Sequence, residues 1–447
     1  MVTTELLPVM ELELDALGHE MHTLVKELYP ICRSITGNGV RETLDKLQRL
    51  IHLTVNEVPS GTRVFDWTVP LEWNIQDAYI KNSKGERVID FQKSNLHVVN
   101  YSVPVHKKLG LDELAPHLFS LPDHPDWIPY RTSYYKQDWG FCLTHNQLLD
   151  LVEDEYEVCI ESSLEKGHLS YGELYLQGES TDEILISAHI CHPSLANDNL
   201  SGVAVAVFLA RQISRLPRRY SYRFLFIPGT IGSITWLSLN QSTAHRIKHG
   251  LVLAGVGDAA PLTYKKSRRG NTGIDQVAAL AIHEADQTSQ VLDFYPYGYD
   301  ERQYCSPGFN LAVGRLSRSR HGTFPEYHTS ADNCDFVKPR SLGESLSVCV
   351  KVVSILERNR TYVNTNPMCE PQLGERGLYH SVGGAADSKE NEMAMLWVLN
   401  LSDGQHSLLK IAELSQLKFD VIARAANKLK EHGLLEEIPV TPQATFV

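Results

Sequence analysis

The chain has 447 residues, 43% of them hydrophobic and 21% charged, with a formal net charge of −12. That length exceeds one ordinary core, so two or three domains are expected, and the balance of residue types excludes a disordered chain. The negative charge excludes any bulk attraction to nucleic acid or anionic lipid.

The first residues, MVTTELLPVMELELDALGHEMH, place acids where a signal peptide needs a basic start and an unbroken apolar stretch. No run approaches the ~20 apolar residues of a membrane span. A cytoplasmic location is therefore expected. The eight cysteines, at 32, 142, 159, 191, 305, 334, 349 and 369, contain no CxxC pair and are read as free thiols.

Glu11 to Leu28 has helical apolar spacing, and after the turn SITGNG a second helix is expected over Val40 to Ile51. From Thr54 the texture becomes short β-type runs separated by Pro-Ser-Gly, Asn-Ser-Lys-Gly and Gln-Lys-Ser-Asn, which suggests a small all-β module. Residues 107–139 read as a structured connector. From about 155 strands and helices alternate: strands at Ile184–Ala188, Ser221–Ile227, Gly250–Val256 and Asn310–Gly314, helices at Leu200–Leu216, Ser233–Asn240, Asn271–Ala285 and Arg340–Arg358. That alternation implies an α/β fold with a largely parallel sheet covered on both faces, and sites at its carboxyl edge.

Three helical stretches follow, Glu392–Leu401, Ser407–Glu413 and Phe419–His432, and then a wing-like strand from Leu434, which is winged-helix spacing. Between 389 and 438 six basic residues face eight acidic ones. A DNA-binding module wants a basic face, so nucleic acid is not the expected partner; packing or subunit contact in a homo-oligomer is. The domains expected are N-terminal helices over 1–53, an inserted β domain over 54–125, the α/β core over 126–385 and the winged helix over 386–447.

The densest chemical signal is Ser187-Ala-His-Ile-Cys-His-Pro-Ser-Leu-Ala-Asn-Asp-Asn-Leu-Ser-Gly202. His189 ends a strand and Asp198 precedes a helix; imidazole and carboxylate are ligands that Zn²⁺ takes. Asp198 would also serve as a helix N-cap. His192 is a candidate extra ligand through its HxxH spacing. A second signal is Phe324-Pro-Glu-Tyr-His-Thr-Ser-Ala-Asp332, where Asp332 either orients His328 or caps the next helix. A third is Asp258, just past a strand, where a lone Asp is more often a turn residue.

In this order the residues resemble the co-catalytic zinc aminopeptidases of the M28 type. More narrowly, the chain resembles bacterial M28-like aminopeptidase-domain proteins that carry an inserted β domain and a C-terminal winged helix, often within polysaccharide or secondary-metabolite gene sets. The resemblance spans ICRSITGNGVRETL, EVPSGTRVFDWTVPLEWNI, SYYKQDWGFCL, AHICHPSLANDNLSG, YGYDERQYCSPGF, EYHTSADN and EPQLGERGLY. It implies a zinc-aminopeptidase-like mixed sheet, with one zinc held by the residues matching His189, Asp198 and Asp258. A second zinc would share Asp198 and use the residue matching His328.

The sequence departs from that pattern at one place. M28 enzymes carry a Glu-Glu pair, a general base and a zinc ligand, where this chain has Gly229-Thr230. One metal is therefore expected rather than two, and a positioned base worth roughly 10²–10⁴ in rate is missing. Glu301 and Glu326 are the candidate replacement bases. Asp300, Arg302 and Tyr299 are candidates for holding a peptide or small-molecule substrate. The functions left open are a zinc-dependent amide-acting enzyme in a biosynthetic pathway, a non-hydrolytic metal-binding scaffold, and a winged-helix regulator.

Overall fold

The computed structural model of the chain describes residues 14–320, 322–378 and 386–438. Contacts divide the chain into two compact units at Val350/Lys351.

The first unit is built on an eight-stranded mixed sheet. Its centre is Glu183–His189, parallel on one side to Ser221–Ile227 and on the other to Ile247–Leu253, which in turn runs parallel to Val313–Ser317. All seven residues of Glu183–His189 are buried. In a strand whose side chains alternate, that requires cover on both faces. Leu185, Leu225, Val252 and Val313 share one core with Ile234, Trp236 and Leu237 of the helix Ile231–Leu239. The helix Gly202–Ser214 is buried from Gly202 through Ala210, as an apolar helix among other elements must be.

Antiparallel strands complete both edges. His168–Leu176 pairs with Ser221–Ile227, and Thr54–Pro59 pairs with His168–Leu176. Thr54–Pro59, expected in the inserted module, is thus an edge strand of the main sheet. The small β module is a four-stranded antiparallel sheet ordered Arg87–Asp90, Glu72–Lys81, Glu155–Glu165, Val105–Gly110. Its third strand comes from beyond residue 126, so the boundary expected at 125/126 falls inside one hydrogen-bonded sheet. A period-two pattern marks a strand without naming its partner.

The second unit begins earlier than expected. Thr361–Asn364 pairs antiparallel with both Asp403–Ser407 and Leu435–Glu437, closing a three-stranded wing around the helices Ala386–Leu401, Leu408–Ser415 and Phe419–Glu431. The boundary at 385/386 therefore cuts this sheet. Lys410 pairs with Glu413 and Lys430 with Glu437, so part of its basic charge is neutralised locally. Among the described residues no helix is long and apolar enough to cross a membrane.

Candidate metal centre

His189 is the last residue of the central strand, which sets it at the sheet's carboxyl edge. The chain then loops through His192 into an irregular turn, Ala196–Ser201, ahead of the helix Gly202–Ser214. Within Asn197-Asp198-Asn199 the two outer residues hold the turn to the neighbouring strand end. The Asn197 amide donates to Asp258 and accepts from the Gly257 N–H, both at 2.8 Å. Asn199 donates to the Leu253 carbonyl at 2.8 Å. Asp198, between them, faces the histidines instead of capping the helix.

Two oxygens of Asp198 meet three imidazoles. Oδ1 lies 2.9 Å from His189 Nε2, while Oδ2 lies 3.0 Å from His328 Nε2 and 3.7 Å from His192 Nδ1. His189 Nε2 and His192 Nδ1 are 3.2 Å apart. The ligand atoms of His189, His192 and Asp198 all fall within 4.8 Å of one another. His328 is not within that tighter set but touches the second Asp198 oxygen, so we count four residues in the cluster. Burial alone would raise the Asp198 carboxyl, yet the imidazoles around it hold it well below its usual range. Burial pushes His192 down to about 3, the neutral form a metal requires. Imidazole nitrogens and an ionised carboxylate converging on one point fit a zinc ion in donor type and number.

The fold clamps each of these groups. Asp332 accepts from the Asn197 and Asp198 amides at 2.6 and 2.9 Å, so it fixes the Asp198 turn and neither orients His328 nor caps a helix. Burial raises its carboxyl to about 8. The buried Arg33 donates to the His192 carbonyl at 2.9 Å. The connector pairs with the His328 loop: the Tyr130 amide donates to the His328 carbonyl, and the Ser330 amide to the Ile128 carbonyl, each at 2.8 Å. These bonds hold His328 in a left-handed backbone conformation, φ 56°. Rings fix the imidazole tilts. Tyr299 stacks on His189 at 4.8 Å and Tyr327 on His328 at 3.9 Å, while Tyr130 meets His192 and His328 edge-on.

Asp258 stands apart from the cluster. Its two oxygens accept from Asn197, the Ala260 amide, and the Ser319 amide and hydroxyl, which consumes its acceptor capacity. The set that includes Asp258 is therefore set aside. Glu301 is not placed as a base either. It is fully buried, 2.9 Å from Lys265 Nζ and 3.5 Å from Arg315, and it accepts from the Tyr299 amide. Glu326 is half-buried, and its carbonyl closes the turn by accepting from Thr329. Arg302 lies over the Tyr297 ring at 5.8 Å.

Asp300 does reach the site. It is buried, with Oδ1 accepting from Ser233 at 2.8 Å and Oδ2 without a partner. Burial raises it to about 6, against the opposing pull of His189 and Ser233. A Cβ built on Gly229 would lie 3.2 Å from His189 Cβ and 3.5 Å from both Asp300 oxygens. A side chain at Gly229 would therefore press on His189 by a few tenths of an ångström and stand beside an unsatisfied carboxylate. The part that sequence reasoning passed over is Tyr130, whose segment carries no ligand pattern; Arg33, a candidate pocket residue by its family string, instead braces the His192 carbonyl.

Comparison with known proteins agrees with this architecture. Residues 22–359 match a family described as a domain of unknown function, DUF4910, and residues 360–437 match a winged helix-turn-helix. A Clostridium acetobutylicum protein, named for polysaccharide biosynthesis and an aminopeptidase-like domain, is 54% identical over 94% of this chain and 96% of its own. A crystal structure described as a peptidase from the same organism superposes with a TM-score of 0.91 at 52% identity, covering 96% of this chain and 98% of that one. A zinc aminopeptidase from Bacillus subtilis shares the fold at a TM-score of 0.55 and 11% identity, over 75% of this chain and 94% of that one.

Proposed function

The chain belongs to the DUF4910 family, and we propose that it is a cytoplasmic enzyme acting with one zinc ion on an amide bond of a small aminoacyl compound or peptide. The reading rests on one observation: three imidazole nitrogens turn toward the two oxygens of a single buried carboxylate, while Asp258 is consumed elsewhere and position 230 is a threonine. His189, His192, Asp198 and His328 would hold the ion. When bound, zinc supplies a Lewis acid that polarises an amide carbonyl and acidifies water. Asp198 stays ionised and His192 neutral, so neither needs to lose a proton first. Asp300 Oδ2, unpartnered beside Gly229, would accept from a substrate ammonium group. The role named for the Clostridium relative favours a biosynthetic substrate over general peptide degradation. The acidic winged helix is read as not binding nucleic acid.

A second reading is favoured by Gly229 itself. With no side chain there, the protein would bind zinc and an aminoacyl ligand without hydrolysing it. Zinc content and turnover on a panel of aminoacyl amides separate the two. One zinc per chain with turnover supports the first reading; one zinc with no turnover supports the second; no zinc ends both.

A further inference from the structure

Three of the sequence strings are not used up by the metal cluster: the Phe65-Asp66-Trp67 segment, the Tyr134-Tyr135-Lys136 segment and the segment ending at Phe309. The fold brings all three to one surface. Trp67 and Tyr135 stand with ring centroids 5.4 Å apart, and Phe65 packs edge-on against Phe309 at 5.8 Å. Phe65, Trp67 and Tyr135 are 43%, 47% and 53% exposed. Three large aromatic side chains left in water at one place are more than the scatter of single apolar residues every protein shows.

Local structure holds them there against backbone preference. Phe65 is the first turn residue of the hairpin joining Arg63–Val64 to Trp67–Thr68, with φ 56° where glycine is the usual choice. Tyr135 is also left-handed, with φ 64°. The wall is joined to the metal cluster through side chains. Tyr134, next to Tyr135, shares a 2.8 Å hydroxyl–hydroxyl bond with Tyr130, whose ring meets His192 and His328.

The wall's own charges are matched. Asp66 pairs with Arg63 at 3.2 Å, and Lys136 with Asp138 at 2.7 Å. A ligand lying on it meets ring faces and the single Tyr135 phenol, with the charges of these two segments already paired. That selects a neutral ligand with an apolar face and a polar rim. A pyranose ring has that shape: its axial C–H groups form an apolar face and its hydroxyls a polar edge. We propose that the Phe65–Trp67–Tyr135 wall is a saccharide-binding platform, and that the substrate is a sugar bearing the amide that reaches the metal cluster. This deepens the preceding functional reading and rests on it for the amide.

The test is saturation-transfer NMR with N-acetylglucosamine and methyl β-glucopyranoside as probes, and with 2-naphthol as a flat apolar ring. Wild type, Trp67→Ala and Tyr135→Ala are compared at full length, with thermal midpoint and zinc content measured on each sample. Saturation of the ring C–H protons of at least one saccharide is expected, falling at least fivefold in both variants with folding and zinc unchanged. Binding of 2-naphthol alone, no saccharide binding, or equal binding in the two variants overturns the platform. A saccharide signal from protein that holds no zinc leaves the platform standing and sinks the metal reading instead.

Discussion

Replacing His192 with alanine separates a four-residue centre from the three-residue set that strand and loop positions alone suggest. His192 Nδ1 lies 3.2 Å from His189 Nε2 and 3.7 Å from the Asp198 oxygen that also faces His328. Burial keeps the ring neutral, so it offers its lone pair without first shedding a proton. Structural zinc sites with four ligands are worth about 10–16 kcal/mol in apparent binding, or about 3 kcal/mol per ligand if shared equally. That is about a hundredfold in Kd. Chelator-competition titration of the zinc-free protein should show that loss in His192→Ala and a similar one in His328→Ala. A His192→Ala affinity within about twofold of wild type, beside a large loss in His328→Ala, would return the ligand set to His189, Asp198 and His328.

Glu301→Gln should unfold at much lower denaturant. Lys265 and Arg315 are register partners on antiparallel strands, both fully buried, and Glu301 is the carboxylate between them, so losing its charge should cost about 3–5 kcal/mol. Wild-type stability with lost amide cleavage would instead restore Glu301 as a base. Gly229→Glu should raise aminoacyl-amide hydrolysis by at least about tenfold, since the new side chain enters between His189 and Asp300; an unchanged rate in a folded, zinc-loaded variant refutes this. Burial first, and then Arg219, hold His249 down to about 4. The unfolded chain takes up that proton below pH ~6.5 and the native chain does not, so stability is full above that pH and falls as pH drops toward 4. The loss from this one ring reaches about 3 kcal/mol. His249→Gln should flatten the urea-midpoint profile between pH 7 and 4, and an equally steep profile in the variant removes His249 as the cause.

The sequence made the α/β core legible because its elements carry their own signals. Ser221–Ile227 was placed to the residue, and the helix expected over Arg340–Arg358 begins at Pro339. His189 and Asp198 could be picked out because a strand end and a helix start fix their edge of the sheet. What stayed hidden depends on partners distant in sequence. Asp258 is a ligand only by the family resemblance, and Asn197, the Ala260 amide and Ser319 fill its oxygens. Glu301 is a candidate base by its place in a polar run, but Lys265 and Arg315, from two strands distant in sequence, enclose it. The connector gave no sign that Ile128 and Tyr130 would pair with the His328 loop. Thr54–Pro59 is a short β-type run with no feature that names its sheet, and only its hydrogen bonds to His168–Leu176 assign it to the large one.

The most direct measurement is anomalous diffraction at the zinc edge from crystals grown with the metal. The account predicts a single strong peak per chain, within bonding distance of His189, His192, Asp198 and His328. Two peaks sharing Asp198, a peak at Asp258, or none at the histidines would contradict it.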